Sequence, residues 1–255
     1  MEPTNRERSS IQVLSRTADI LSSLQGQPGG LSQTEIGEKV NLPRSTVSRL
    51  LLALEELGYV SALGPRGPYR LGPEIIAMSM SARRSVLNEL RPFLESLSRQ
   101  VNETVDLSIL ENGRAVFLDQ VVSDHRLRAV SAVGDAFPLH ACANGKAMLA
   151  SMDPASLDIA LSSPLEKFTV NTITSVRNLR RELAEIIRNG VSIDNEEHSL
   201  GICAVGAVLP SIYGDVLAVS IPVPTQRFTG EEERLGAALI ECVKQATAWA
   251  GALPA

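Results

Sequence analysis

Three short stretches of this 255-residue sequence hold side chains dense enough to do chemistry. The first is Asp194-Asn-Glu-Glu-His-Ser-Leu-Gly201. It sets an Asp, two Glu and a His within five residues, a combination that suggests a metal site. No second ligand group at a known metal spacing accompanies it, so no metal is assigned. The second is His140-Ala-Cys-Ala-Asn-Gly-Lys146. Small residues and a glycine ahead of a helical stretch leave backbone N–H groups free to face an anion. His140 suits either of two roles there, a hydrogen bond to a ligand carboxylate or a cap on a neighbouring element. Lys146 reads as a surface or helix-packing residue. The third stretch, Arg44-Ser-Thr-Val-Ser-Arg49, offers hydroxyl and guanidinium donors that suit phosphates and base edges.

These side chains need elements to hold them. Residues 42–58 read as one amphipathic helix, with Pro43 in its first turn and Gly58 as its C-terminal cap. Val47, Leu50, Leu51, Leu54 and Leu57 recur at helical spacing. Taken alone, that pattern describes an ordinary packed helix with a solvated face. Its neighbours say more. Residues 10–25 form a helix with Ile11, Leu14, Ala18, Leu21 and Leu24 on one face, ended by the Gly26–Gly30 loop. Residues 32–40 form another, opened by a capping box of Ser32 and Glu35. Short helix, turn and second helix make a helix-turn-helix, with residues 42–58 as its recognition helix. Two apolar stretches in 59–71 then flank Gly-Pro-Arg-Gly-Pro, the pattern of a hairpin and so of a wing. Arg66 at its tip and Arg70 on its return strand are placed to reach phosphate or the minor groove. The DNA-facing set is Ser32, Arg44, Ser45, Thr46, Ser48, Arg49, Arg66 and Arg70.

Beyond Gly72-Pro73 the texture changes. A connecting helix is expected over 74–84 and an amphipathic helix over 86–101. Strands are expected at 104–110 and 115–122, joined by Glu-Asn-Gly, and at 127–133. Helices follow at 143–151, 154–162 and 175–189, strands at 190–195, 202–210 and 216–222, and a last helix at 229–250. The fold class is α+β. No apolar run approaches the ~18 residues of a membrane span, and the polar N-terminus lacks the apolar core of a signal peptide. Cys142, Cys203 and Cys242 are scattered and odd in number, which points to a reducing cytosol. The net charge of −5 argues against bulk attraction to nucleic acid. Residues 1–80 balance 8 Lys+Arg against 8 Asp+Glu, so the rest of the chain carries the whole deficit. DNA affinity must come from the placement of arginines.

The chain resembles the IclR family of bacterial transcription regulators over nearly its whole length. The resemblance is carried by Leu-Pro-Arg-Ser-Thr-Val-Ser-Arg-Leu-Leu at 42–51, Leu-Glu-Glu-Leu-Gly-Tyr-Val at 54–60 and Tyr-Arg-Leu-Gly-Pro at 69–73. It continues in Glu-Thr-Val-Asp-Leu-Ser-Ile-Leu at 103–110, Pro-Leu-His-Ala-Cys-Ala-Asn-Gly-Lys-Ala at 138–147 and Asn-Thr-Ile-Thr at 171–174. Asp-Asn-Glu-Glu-His-Ser-Leu-Gly at 194–201 and Leu-Ala-Val-Ser-Ile at 217–221 complete it. The resemblance implies a winged helix-turn-helix over 1–72, a linker helix over 73–85 and a GAF-like α/β effector domain over 86–255. It implies pseudo-palindromic double-stranded operator DNA, a small organic-acid or aromatic effector and a homodimer or tetramer, with no cofactor and no membrane association.

The same resemblance makes His140, Ala141, Cys142, Asp194, Cys203, Ala204 and Ser220 the effector-binding set, and Glu196 and Glu197 largely structural. Relatives often carry a pocket cysteine where Ala204 stands and a second serine where Pro222 stands. Alternation along a strand turns Cys203 to the other face. The expected function is a ligand-responsive repressor, not an enzyme. The rivals are a redox-active protein or enzyme using Cys142 and Cys203, and an interaction module that uses its winged helix only for packing. No Cys-x-x-Cys pair, Ser-His-Asp arrangement or nucleotide loop supports an enzyme.

Overall fold

The computed structural model describes residues 5–64, 67–129, 131–209 and 215–251. Its internal contacts divide the chain into two compact units, Met1–Ser85 and Val86–Ala255.

In the first unit, α1 (Asn5–Ser23), α2 (Gln33–Val40) and α3 (Arg44–Glu56) precede an antiparallel hairpin of β1 (Val60–Ala62) and β2 (Tyr69–Leu71). The capping box forms: the Ser32 hydroxyl accepts from the Glu35 N–H, and the Glu35 carboxylate accepts from the Ser32 N–H at 2.8 Å. Pro43 is the cap residue ahead of α3, not a member of its first turn. Val47, Leu50, Leu51 and Leu54 bury one face of α3 against Ile20, Leu24, Ile36 and Tyr69. Leu57 departs from the expected stripe and is 62% exposed, because the helix ends before it. Ile20 in α1 and Leu24 just after it are buried, while Leu14 is exposed. Gly58 adopts φ +73°, the left-handed geometry that lets the chain leave α3.

The expected break near residue 85 is absent. One helix, α4, runs from Pro73 to Val101. The sequence between 74 and 91 holds no glycine or proline to stop it. Pro92 lies inside it on the exposed side, where the carbonyl that loses its N–H partner can be hydrated.

The second unit is built on a six-stranded, wholly antiparallel sheet. Its strands are β3 (Val105–Glu111), β4 (Arg114–Val121), β5 (Ala136–Pro138), β6 (Ser192–Asn195), β7 (Ile202–Val208) and β8 (Leu217–Pro224). Their order is β5-β4-β3-β8-β7-β6. Asn112 and Gly113, both at positive φ, make the tight β3–β4 turn. The strand expected at 127–133 is not formed: residues 127–129 and 131–133 are irregular, and Val130 lies outside the described residues. The short strand β5 follows instead.

Alternation along the strands gives the sheet two unlike faces. Val105, Leu107, Leu217, Val219, Val205 and Cys203 lie on an apolar face. The C-terminal part of α4 and α9 (Glu232–Ala250) cover it through Leu90, Leu94, Leu235 and Leu239. A four-residue helix, α8 (Thr225–Phe228), precedes α9. The opposite face is partly polar and carries α5 (Ala143–Ser151), α6 (Pro154–Ala160) and α7 (Val176–Asn189). Helices thus cover both faces of one sheet, which is the α+β arrangement expected.

Candidate functional site

The first candidate surface lies on α3 and its surroundings. Helical spacing puts Ser45 beside Arg49 on the face opposite the buried stripe, and Arg44 beside Ser48 along its flank. Arg44, Ser45 and Arg49 are exposed, and Thr46 and Ser48 half-buried. Thr46 sits two residues from Ser48 and so round the helix from it. A groove joins Arg44 to Ser32; the acidic Glu55 also lines it, as do Gln33, Thr34 and Leu52. Sequence reasoning missed those last three. Exposed Leu52, one turn beyond Ser48, carried a signal in being apolar and outside the buried stripe. Arg70 is not part of this group. Tyr69 beside it is buried toward α2, so Arg70 points to the other face of the hairpin and lines a separate hollow with Gln27, Ser61 and Pro73. Arg66 falls outside the described residues. A surface that gathers exposed arginines and hydroxyls at one helix start can engage phosphate and base edges.

The second site is a cavity of about 290 Å³ on the polar face of the six-stranded sheet. That is near the lower end of the ~300–1,000 Å³ typical of small-molecule sites. Register builds its floor: Asp106 pairs with Ser220, Ala204 pairs with Pro222, and Asp194 pairs with Ala204. Each of these residues lines the cavity. The start of α5 forms one wall through Cys142, Ala143 and Asn144. Two glycines press α5 into place. A Cβ on Gly145 would come within 2.4 Å of the Leu139 backbone, and one on Gly206 would meet the Ala143 carbonyl carbon at 2.8 Å. The Ser192 hydroxyl donates to the Ala143 carbonyl at 2.7 Å and tethers the same turn to the sheet.

Aromatic rings make another wall. Phe137 packs edge-on to Phe117 and stacks on His198, with ring centroids 3.9 Å apart in the second pair. His198 rides on the loop after β6, where Glu196 adopts φ +58°. The Thr169 hydroxyl donates to the Glu196 carbonyl at 2.7 Å, and the Thr172 hydroxyl to the Glu197 carbonyl at 2.6 Å. Burial, helped by the Arg114 charge, holds His198 below its ordinary pKa and so favours the neutral ring. Exposed Arg128 also borders the cavity, as do Ser131 and Ser199.

Of the effector-binding set, Cys142, Asp194, Ala204 and Ser220 meet around this cavity. His140, Ala141 and Cys203 do not line it. The His140 Nε2–H donates to the Glu166 carbonyl at 2.8 Å. Cys203 faces the apolar side of the sheet, near Thr225 and Asn195. Lys146 shows the second of its two expected roles, helix packing, and not the surface one. It is fully buried, ion-paired with Glu182 of α7 and with Glu197 at 2.5 Å. Burial opposes its charge, but these two carboxylates overcome that cost and hold it protonated.

Asp106, Asn144, Phe117, Phe137 and His198 were not assigned to the site from the sequence. Alternation in Val-Asp-Leu-Ser-Ile at 105–109 was the available signal for Asp106. Burial lifts its carboxyl to about 6, against hydrogen bonds from Gln120 and Ser131. Asp194 is lifted further, to about 7, again first by burial, with the nearby Glu197 charge adding to it. Burial pushes Cys142 up to about 12 and Cys242 to about 11, and raises Cys203 as well, so thiolate is scarce at neutral pH. The Cys142 sulfur instead caps α5, accepting from the Gly145 N–H. Among the described residues no group of three or more His, Cys, Asp and Glu side chains is placed to hold a metal ion. Among them, too, no helix is long and apolar enough to cross a membrane.

Residues 78–248 match the family described as the bacterial transcriptional regulator IclR C-terminal domain, and residues 13–64 match the IclR helix-turn-helix domain. The chain is 55% identical over 239 residues to the HTH-type transcriptional regulator Rv1719 of Mycobacterium tuberculosis, covering 94% of this chain and 92% of that protein. It is 30% identical over 244 residues to the transcriptional repressor IclR of Escherichia coli, covering 93% and 89%. Its fold is similar to that of an IclR homologue from Microbacterium hydrocarbonoxydans crystallised with 4-hydroxybenzoate. The TM-score is 0.62 at 24% identity, covering 94% of this chain and all of that one.

Proposed function

The chain belongs to the IclR family of bacterial transcriptional regulators, and from that premise we propose that it is a repressor released from its operator by a small aromatic effector. It acts in the cytoplasm as a homodimer or tetramer on a pseudo-palindromic site, controls a catabolic or metabolic operon, and is not an enzyme. One observation carries the reading: the same chain joins a helix-turn-helix that exposes Arg44, Ser45 and Arg49 to a second unit that holds a ligand-sized cavity. Of the organic-acid and aromatic classes expected from the sequence, the Phe117–Phe137–His198 wall favours an aromatic ring.

Physically, a ligand that prefers one arrangement of the assembled protein shifts its population. Two recognition helices must meet half-sites about 34 Å apart, so a small change in their spacing weakens binding. Arg44, Ser45, Ser48 and Arg49 are assigned to DNA contact, with Ser32 and Thr46 in support and Arg66 at the wing. Arg70 is assigned to a phosphate beyond the groove.

Fluorescence anisotropy on the DNA upstream of the chain's own coding region tests this. Arg44→Ala and Arg49→Ala should each weaken binding by about five- to a hundredfold, the range for losing a charged contact to phosphate or base. Unchanged affinity in both removes the assignment.

A further inference from the structure

The two buried acids on the cavity floor are not bonded alike. Asp106 has a donor on each oxygen, the Gln120 amide at 2.6 Å and the Ser131 hydroxyl at 2.9 Å. Donors on both oxygens favour the ionised form. Asp194 has a donor on only one: its Oδ1 accepts from the Glu197 N–H at 2.7 Å, and its Oδ2 has no partner among the described residues. The residue is 6% exposed, yet Oδ2 keeps accessible surface, and the cavity is the space Asp194 lines. The Ser220 hydroxyl, on a residue 5% exposed, likewise bonds to no described residue and keeps accessible surface there.

The start of α5 adds charge of the other sign. The Ala143 and Asn144 N–H groups meet no acceptor among the described residues, and both residues wall the cavity. Such a helix start favours an anion. An anion held there shares the cavity with Asp194, and the groups round that carboxyl do not offset a second negative charge. On the loop after β6, Glu197 is acidic and His198 is held toward its neutral ring. Lys146 of α5 is shared between Glu197 and Glu182 of α7, two carboxylates against one ammonium. Asp106 of β3 is a further acid, Cys142 keeps its proton, and Arg128 is exposed at the rim. β7 and β8 line the cavity with uncharged residues only.

We propose that an acidic effector binds as its carboxylate together with one proton from solvent, that the proton resides on Asp194 Oδ2, and that this O–H donates to the bound carboxylate. One anion and one proton enter, the only covalent bond formed is the O–H of Asp194, and the net charge of the cavity is unchanged. The sign of the pH dependence follows. Burial lifts the Asp194 carboxyl to about 7 in the empty protein, so at lower pH the proton is already in place. At higher pH it must be taken up on binding, and affinity for an anion falls toward tenfold for each pH unit, about 1.4 kcal/mol. An uncharged ligand makes no such demand. The cavity then answers to the acid and to acidity together. This inference rests on the reading of the cavity as the effector site and adds its regulation.

Benzoate and benzamide are matched in size and differ in charge, which makes them the test pair. Titration calorimetry of the full-length protein with each, at pH 8 in phosphate and in Tris, counts protons from the difference in heat between the buffers. Benzoate should bring in between about half a proton and one proton, and benzamide close to none. Benzoate should also bind about tenfold more weakly at pH 8 than at pH 6. Asp194→Asn places an amide N–H where the carboxyl O–H would stand. It should abolish the uptake, flatten the dependence between pH 6 and 8, and bind benzoate more tightly than the unsubstituted protein at pH 8. Benzoate binding without proton uptake, or benzamide binding where benzoate does not at either pH, overturns the inference and leaves the cavity reading standing. Uptake that persists in Asp194→Asn, or loss of benzoate binding in that variant with its melting temperature unchanged, overturns the assignment to Asp194. Failure of both compounds, and of 4-hydroxybenzoate, to bind removes the aromatic-effector reading, and this inference with it.

Discussion

Asp194 couples the cavity to pH through a sign that can be worked out. Its carboxyl is lifted by burial from an ordinary 3.8 to about 7, so the folded protein holds that proton more tightly than the unfolded chain does. The contribution of Asp194 to folding stability is therefore greatest below about pH 4, where both states are protonated, and falls as pH rises toward and through 7. At 1.36 kcal/mol per pKa unit the penalty reaches up to about 4 kcal/mol at pH 8, an upper figure because relaxation softens buried charges. Asp194→Asn keeps an oxygen to accept from the Glu197 N–H and removes the titration. Thermal melts of the ligand-free protein should show Asn at this position stabilising at pH 8 and doing little at pH 4.5. Equal effects at both pH values would mean the buried acid is not the source. The same burial accounts for what could be read from the residues beforehand. Alternation on β7 turned Cys203 away from Ala204, and both follow it in the fold. Asn144 gave no such signal, since an amide inside Ala-Asn-Gly looks like any helix start until its partners are counted and found missing.

Among the elements, α5 walls the cavity with its first turn, and its burial was the least legible feature of the chain. Residues Ala143 to Leu149 are all buried, Lys146 among them, so no polar stripe marks the helix as amphipathic. The Lys146 charge survives there because Glu182 and Glu197 arrive from segments far along the chain, a pairing that local periodicity cannot show. Lys146→Met should destabilise the protein by about 3–5 kcal/mol, because it leaves buried Glu197 uncompensated. Adding Glu197→Gln should recover part of that loss in chemical denaturation. A double variant no more stable than the single one would show that packing, not charge, sets the cost. Elements with local signatures behaved otherwise. The Ser32–Glu35 box, the buried stripe of α3 from Val47 to Leu54 and the Asn112-Gly113 turn all carry their instructions within a few residues. The break expected near residue 85 had no glycine or proline behind it, and α4 runs through.

For the whole molecule, charge limits what one copy can do. The DNA-facing third of the sequence balances its acids and bases, and the rest carries the −5, so no general field draws the protein to DNA. A single winged helix with a few arginines makes few phosphate contacts, and under the proposed dimeric binding affinity depends on two copies acting together. Cooperation of that kind depends on geometry, because both recognition helices must reach the same side of the duplex. Inserting about 5 base pairs between the half-sites turns one half-site to the far side, and inserting about 10 restores the phase. Anisotropy titrations should therefore show affinity falling with the shorter insertion and partly returning with the longer one. A steady decline with length would instead place the two copies on a flexible tether. Linkage makes a companion demand: if the effector weakens operator binding by some factor, operator DNA must weaken effector binding by the same factor. A ligand that merely competes at the recognition helix obeys the same reciprocity, so saturation separates the two: with rising effector, operator affinity levels off under true coupling and keeps falling under competition.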